Sequence, residues 1–165
     1  MSAVTASPLA GLDLEHYMRA ALAEAEAAGQ AGELPIGAVV VLDGQILSRG
    51  RARHTERQSQ LAHAELLALQ AGGPLLFTDS DRAILFTSAE PCPLCLGAAV
   101  MADVPHIVFA CHDQVVHSAE TVSNNPYVRR HIQTYLGGVL EAESRAIIAR
   151  YNPALLRYIT TERNE

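Results

Sequence analysis

A three-layer α/β/α fold around a central mixed sheet is what this sequence predicts, and three observations carry the prediction. Pro35-Ile36-Gly37-Ala38-Val39-Val40-Val41-Leu42 is an apolar run of strand length, and the Asp43-Gly44 after it is a strong hairpin turn. Two more strand-like runs, Ala83 to Ser88 and His106 to Ala110, alternate with stretches of helical character. Ahead of them all, Leu14, Tyr17, Met18, Ala21, Leu22 and Ala25 recur with the spacing of one apolar helix face. A hairpin followed by strand–helix units needs a mixed sheet with helices on both faces.

Taken in order, residues 1–11 read as a loose leader, and the first helix runs from Leu14 until Gly29 to Gly32 end it. The strand from Pro35 to Leu42 carries no charge and reads as buried on both faces, with Gln45 to Ser48 returning beside it. A polar loop leads to a second helix that His63 opens, which runs through Gln70 and stops at Gly72-Gly73-Pro74. The strand from Ala83 to Ser88 feeds a helix over Leu94 to Ala102, and the strand from His106 to Ala110 follows. Val115 to Pro126 reads as loop, and Gly137-Gly138 precede a last long helix, Val139 to Arg150. Residues 1–165 are expected to form a single domain, with 152–165 as a terminal segment able to lid a pocket.

Composition bounds the function classes. With 49% hydrophobic and 18% charged residues the chain is globular in character. Its longest uncharged apolar run, Pro91 to Ala102, is too short to cross a bilayer. No basic stretch precedes a hydrophobic one at the start, so a cytoplasmic location and no membrane partner are expected. The net charge is −6 and there is no lysine, which disfavours a nucleic-acid partner. Arg49, Arg51, Arg53 and Arg57 then read as a solvated loop, and Arg129-Arg130 as a solvated helix face.

Chemistry concentrates in His63-Ala64-Glu65 and Pro91-Cys92-Pro93-Leu94-Cys95. One imidazole and two thiols are three ligands for a tetrahedral zinc, which leaves a fourth position open for water. Pro91 favours an extended residue before it and Pro93 suits a first helical turn, so both sulfurs fall at a helix N-terminus. There the dipole and unpaired N–H groups favour thiolate. Glu65, two residues past His63, points away from it on an ideal helix but can lean over the metal at a loose first turn, moving protons. The alternative is a structural zinc whose fourth ligand is Cys111 or His112; if both stay out of the site, Cys111 is a free thiol.

With those residues placed, the chain resembles the cytidine and deoxycytidylate deaminase superfamily. Its nearest branch there holds guanine deaminase, fungal cytosine deaminase and bacterial tRNA adenosine deaminase. The resemblance spans Leu34 to about Tyr151. It is most specific at Pro35-Ile36-Gly37-Ala38-Val39-Val40, at Ala62-His63-Ala64-Glu65 and at Thr87-Ser88-Ala89-Glu90-Pro91-Cys92-Pro93-Leu94-Cys95-Leu96-Gly97-Ala98. It implies a cytidine deaminase-like fold, Zn²⁺ held by His63, Cys92 and Cys95, and Glu65 as proton shuttle while water attacks the amine-bearing ring carbon. It also implies substrate contacts from backbone groups of Ala64 and Ser88 and from Asp113, and a homodimer. Related enzymes carry an Asn eleven residues before the zinc histidine, where this chain has Ala52, so Arg53 or His54 is expected to take its place. The cysteine stretch looks most like guanine deaminases and Gly138-Val139-Leu140-Glu141-Ala142-Glu143 more like the tRNA enzyme. The reading taken from the sequence is therefore a hydrolase of a free nucleobase or nucleoside, with guanine-type purines ahead of cytosine. The alternative is tRNA adenosine-to-inosine deamination, and the third option is a non-catalytic module with structural zinc. Tyr127, Tyr151 and Tyr158 are candidates for stacking on a ring.

Overall fold

The computed structural model describes residues 8–161. Five strands form one sheet in the order β2-β1-β3-β4-β5. They are β1 (Gly37–Leu42), β2 (Gln45–Arg51), β3 (Ile84–Ala89), β4 (His106–Cys111) and β5 (Thr134–Leu136). β1 is antiparallel to both β2 and β3, whereas β3, β4 and β5 run parallel, so the sheet is mixed as expected. Asp43 and Gly44 both take positive φ in the β1–β2 turn, which is why that dipeptide suits the hairpin.

Strand alternation sorts the core into two layers. Val39, Val41, Ile84, Phe86, Val108 and Ala110 face one side, where Tyr17, Met18, Ala21 and Leu22 of α1 (Leu14–Gln30) meet them. Ala38, Val40, Leu85, Ile107 and Phe109 face the other, against α3 (Ala64–Ala71) and α5 (Pro93–Met101), with α2 (His54–Arg57) in the loop before α3. Asp13 caps α1 by accepting the His16 N–H, and α8 (Glu141–Tyr151) lies beside α1 to complete that layer. Two helices come so close to the sheet that only glycine fits beneath them. A Cβ on Gly37 would lie 2.3 Å from the Ala21 carbonyl oxygen of α1, and one on Gly50 would lie 2.2 Å from that of Ala64 in α3.

Several expectations need correction. The helix that His63 opens does end at Ala71 with Gly72 as its cap, as expected, but the chain does not leave helical structure there. Gly72 stays in helical conformation, and Pro74 sits in the first turn of a further helix, α4 (Gly73–Asp79). Val115 to Pro126 is not all loop: α6 (Ser118–Asn124) forms there and α7 (Pro126–His131) follows, capped by Asn125. The last helix begins at Glu141 and is followed, after Asn152, by α9 (Pro153–Thr160) as a separate element. Of the expected leader, residues 1–7 lie outside the described residues, but Leu9 packs on the α1 side of the core, as does Leu12 just after it. Among the described residues no helix is long and apolar enough to cross a membrane.

Candidate active site

Both metal half-motifs occupy helix starts, and the two starts face each other. His63 is the residue before α3, with φ −72° and ψ 148°. Cys92 stands in the same relation to α5, with φ −66° and ψ 169°, Pro93 opens the helix, and Cys95 lies in its first turn. β3 delivers the cysteines directly, and the Ser118 hydroxyl donates to the Pro91 carbonyl at 2.6 Å, fixing the turn just before Cys92. The helix α6, absent from the sequence reading, thus braces the cysteine loop.

The three donor atoms form a small triangle. Cys92 Sγ and Cys95 Sγ are 3.7 Å apart, and His63 Nδ1 is 3.6 Å from the first and 3.4 Å from the second. Tetrahedral zinc with Zn–S of about 2.3 Å and Zn–N of about 2.0–2.1 Å calls for S···S near ~3.8 Å and S···N near ~3.6 Å. The donors therefore fit the metal in type and in spacing. The hydrogen bond between the two sulfurs, with the His63 ring, holds Cys92 down to about 4, while that bond and burial push Cys95 far up. A dication placed among them removes the shared proton.

No fourth protein ligand joins the triangle among the described residues. Cys111 is buried with Ile148 and Ile159, and its thiol faces the His112 carbonyl. The His112 ring pairs with Glu141 at 3.2 Å. A metal site closed by either residue has no support in this arrangement.

Glu65 stands beside the triangle. Because His63 is extended rather than helical, the two-residue offset does not turn Glu65 to the opposite side, as it would within a continuous helix. Its Oε1 accepts the Thr87 hydroxyl at 3.0 Å and its Oε2 lies 3.3 Å from Cys95 Sγ. The carboxyl is 4% exposed, and this burial pushes its pKa above the ordinary carboxylate value. Thr87, a polar residue in a buried strand, went unremarked in the sequence, although alternation along β3 marks it as facing α3.

A cavity of about 150 Å³ opens beside these groups. Leu34, Ile36, Ala52, Leu155 and Ile159 make its apolar wall, and His54, Ala64, Glu90 and Asp113 line it with the metal-site residues. Ala64, Asp113 and His54 thus lie where substrate contacts were expected. Ser88 and Arg53 do not. The Ser88 hydroxyl accepts the Gly37 N–H at 3.0 Å and its carbonyl takes the Ser144 hydroxyl, while Ala89, one residue on, lines the cavity. Arg53 pairs with Glu56 at 2.9 Å and faces a different groove. Glu90, not singled out in the sequence, accepts the Asp113 N–H and the Tyr135 hydroxyl, tying the loop after β4 to β5 beside the cavity. None of Tyr127, Tyr151 and Tyr158 lines the cavity, whereas α9 of the terminal segment does so through Leu155 and Ile159. Residues 162–165 lie outside the described residues.

Residues 12–111 match the model of the cytidine and deoxycytidylate deaminase zinc-binding region. The chain belongs to that family. As a family deaminase it is similar to the tRNA-specific adenosine deaminase of Bacillus subtilis, with 35% identity over 83% of this chain and 87% of the relative. A solved tRNA:A34 deaminase, of the kind that edits A to I at the wobble position of transfer RNA, superposes with a TM-score of 0.72. It is 31% identical, and the match covers 80% of this chain and 98% of the other. The guanine deaminase of Nitrosomonas europaea superposes with a TM-score of 0.68 at 25% identity, over 84% of each chain. These likenesses correct the weight given to overall charge: the relatives favour the tRNA alternative over the free base first preferred from the sequence.

Proposed function

We propose that this deaminase converts adenosine to inosine in transfer RNA, at the wobble position. The observation that carries the reading is the likeness to tRNA adenosine deaminases along most of both chains, which takes in 98% of the solved tRNA:A34 deaminase against 84% of the guanine deaminase. The cavity suits it in size. About 150 Å³ is well under the roughly 300–1,000 Å³ of sites for drug-sized ligands, so a single ring enters and the rest of the substrate stays outside.

His63, Cys92 and Cys95 would hold the zinc, which supplies a water activated near neutral pH. Glu65 moves the protons. Thr87 holds Oε1, and Oε2, 3.3 Å from Cys95 Sγ at the donor triangle, is the oxygen that would take the proton of the attacking water. Glu65 passes it to the ring nitrogen next to the amine-bearing carbon, and then carries a second proton to the departing ammonia. Ala64 and Asp113 bound the ring. With Ala52 in the wall in place of an amide, His54 is the polar group of that loop facing the cavity, and its Nδ1 is buried without a partner. Glu33 fixes His54 there by accepting the N–H groups of Thr55 and Glu56, at 3.0 and 2.7 Å. A homodimer is the expected assembly, and exposed Leu75, Phe77 and Met101 offer an apolar face for it.

One feature favours a free guanine-type base as the second reading: α9 lays Leu155 and Ile159 against the cavity as a cover would. Ammonia release over a panel separates the two. Zinc-loaded protein should turn over a transcript of tRNA with adenosine at the wobble position and leave guanine, cytosine and free adenosine untouched. Turnover of guanine with none of tRNA would replace this reading with the second.

A further inference from the structure

The groove that holds Arg53 away from the active site is lined by Arg49, Arg51, Arg53 and Arg57, with Leu67 and Gln70 on the α3 side, and measures about 460 Å³. A chain of net charge −6 thus gathers four of its twelve arginines in one concavity. The gathering follows from the fold. β2 is the edge strand, its alternation sends Arg49 and Arg51 to the same side, and Gly50 between them is closed off by α3.

Counter-charge there is sparse. Glu24 is the one acidic lining residue and reaches Arg49 only at 3.7 Å, and Glu56 takes Arg53. Among the described residues, neither Arg51 nor Arg57 meets a carboxylate, whereas Arg19, Arg82, Arg145 and Arg150 all do. Arg51 is the telling case: its Nε is buried with no hydrogen-bond partner. A buried donor left unpaired is costly, and what it lacks is an acceptor. Charged residues on an edge strand also discourage pairing with other chains, but that role needs neither a concave arrangement nor a guanidinium Nε buried without a partner.

The acceptor that matches converging guanidinium forks is a phosphate, which they bind bidentately. The groove and the zinc cavity flank the same loop. Arg53 faces the groove, its neighbours Ala52 and His54 line the cavity, and the Arg53 N–H closes the loop on the Ala62 carbonyl. We infer that the groove binds backbone phosphates of the RNA whose target base enters the zinc cavity, an assignment that rests on the transfer-RNA reading.

The test compares the wild type with R49Q/R51Q/R57Q, measuring affinity for a wobble-adenosine tRNA transcript across a salt series. Loss of three phosphate contacts should weaken binding about 10–100-fold at low salt and flatten the slope of log K against log salt by roughly 2. Zinc content and kcat at saturating tRNA should not change. If the triple variant unfolds early, Arg57→Gln alone, at an exposed position, should flatten the slope by about 1. A wild type that deaminates tRNA, with variants of unaltered affinity and slope, overturns this inference and leaves the function standing. A wild type that neither binds nor deaminates tRNA overturns both.

Discussion

Glu65→Gln should keep one zinc per chain and lose deamination by at least ~10²–10⁴-fold, the range for removing a positioned proton carrier. Gln has nearly the same shape and can still accept the Thr87 hydroxyl through its amide oxygen, so the bond at 3.0 Å and the buried packing survive. What it cannot do is take a proton from water. The loss should fall on kcat, with tRNA affinity unaltered, because Glu65 is 4% exposed and lines the cavity beside the metal donors. Measured zinc content and a salt titration of tRNA binding separate this outcome from misfolding. Near-wild-type turnover in the variant would remove Glu65 from the proton path.

Cys95→Ser should abolish activity by another route, through loss of the metal. Cys95 is fully buried at the first turn of α5 and is one corner of the donor triangle. A serine hydroxyl is a shorter, harder donor that zinc does not prefer beside Cys and His. Zinc content should fall well below one per chain. Stability should fall with it: a ligand present at about 100 times its Kd contributes about 2.7 kcal/mol to the folded state. At roughly 2–4 °C per kcal/mol for a chain of this size, Tm should drop by about 5–11 °C. Chelation of the wild type should reproduce the drop. A variant that retains stoichiometric zinc, or a wild type whose Tm ignores chelator, would contradict the assignment of the site.

The metal centre was legible because its residues are adjacent in sequence and its geometry is local. His63 and Cys92 each precede a helix, and proline on either side of Cys92 announces that start. The long strands were legible for a similar reason, as β1, β3 and β4 are mostly apolar and buried along nearly their whole length. What failed to announce itself was short or weakly patterned. β5 has three residues and none is buried, α6 buries only Ser118, and α4 begins at a Gly-Gly-Pro that reads as a stop. The substrate pocket was not legible either, because Leu34, Ala52, Asp113 and Ile159 reach it from four distant parts of the chain. Net charge was the least informative guide. It averages over the surface and so hides that Arg49, Arg51 and Arg57 converge on one groove.

In the proposed reaction water replaces the amine of an adenosine in tRNA at the site formed by His63, Glu65, Cys92 and Cys95. The most direct measurement is to react the zinc-loaded protein with wobble-adenosine tRNA in heavy-oxygen water, digest the RNA and weigh the released nucleosides. The inosine formed should carry one heavy oxygen, appear in step with ammonia and be absent with Glu65→Gln. Unchanged adenosine after incubation with fully metallated protein, or inosine formed equally by the variant, would contradict it.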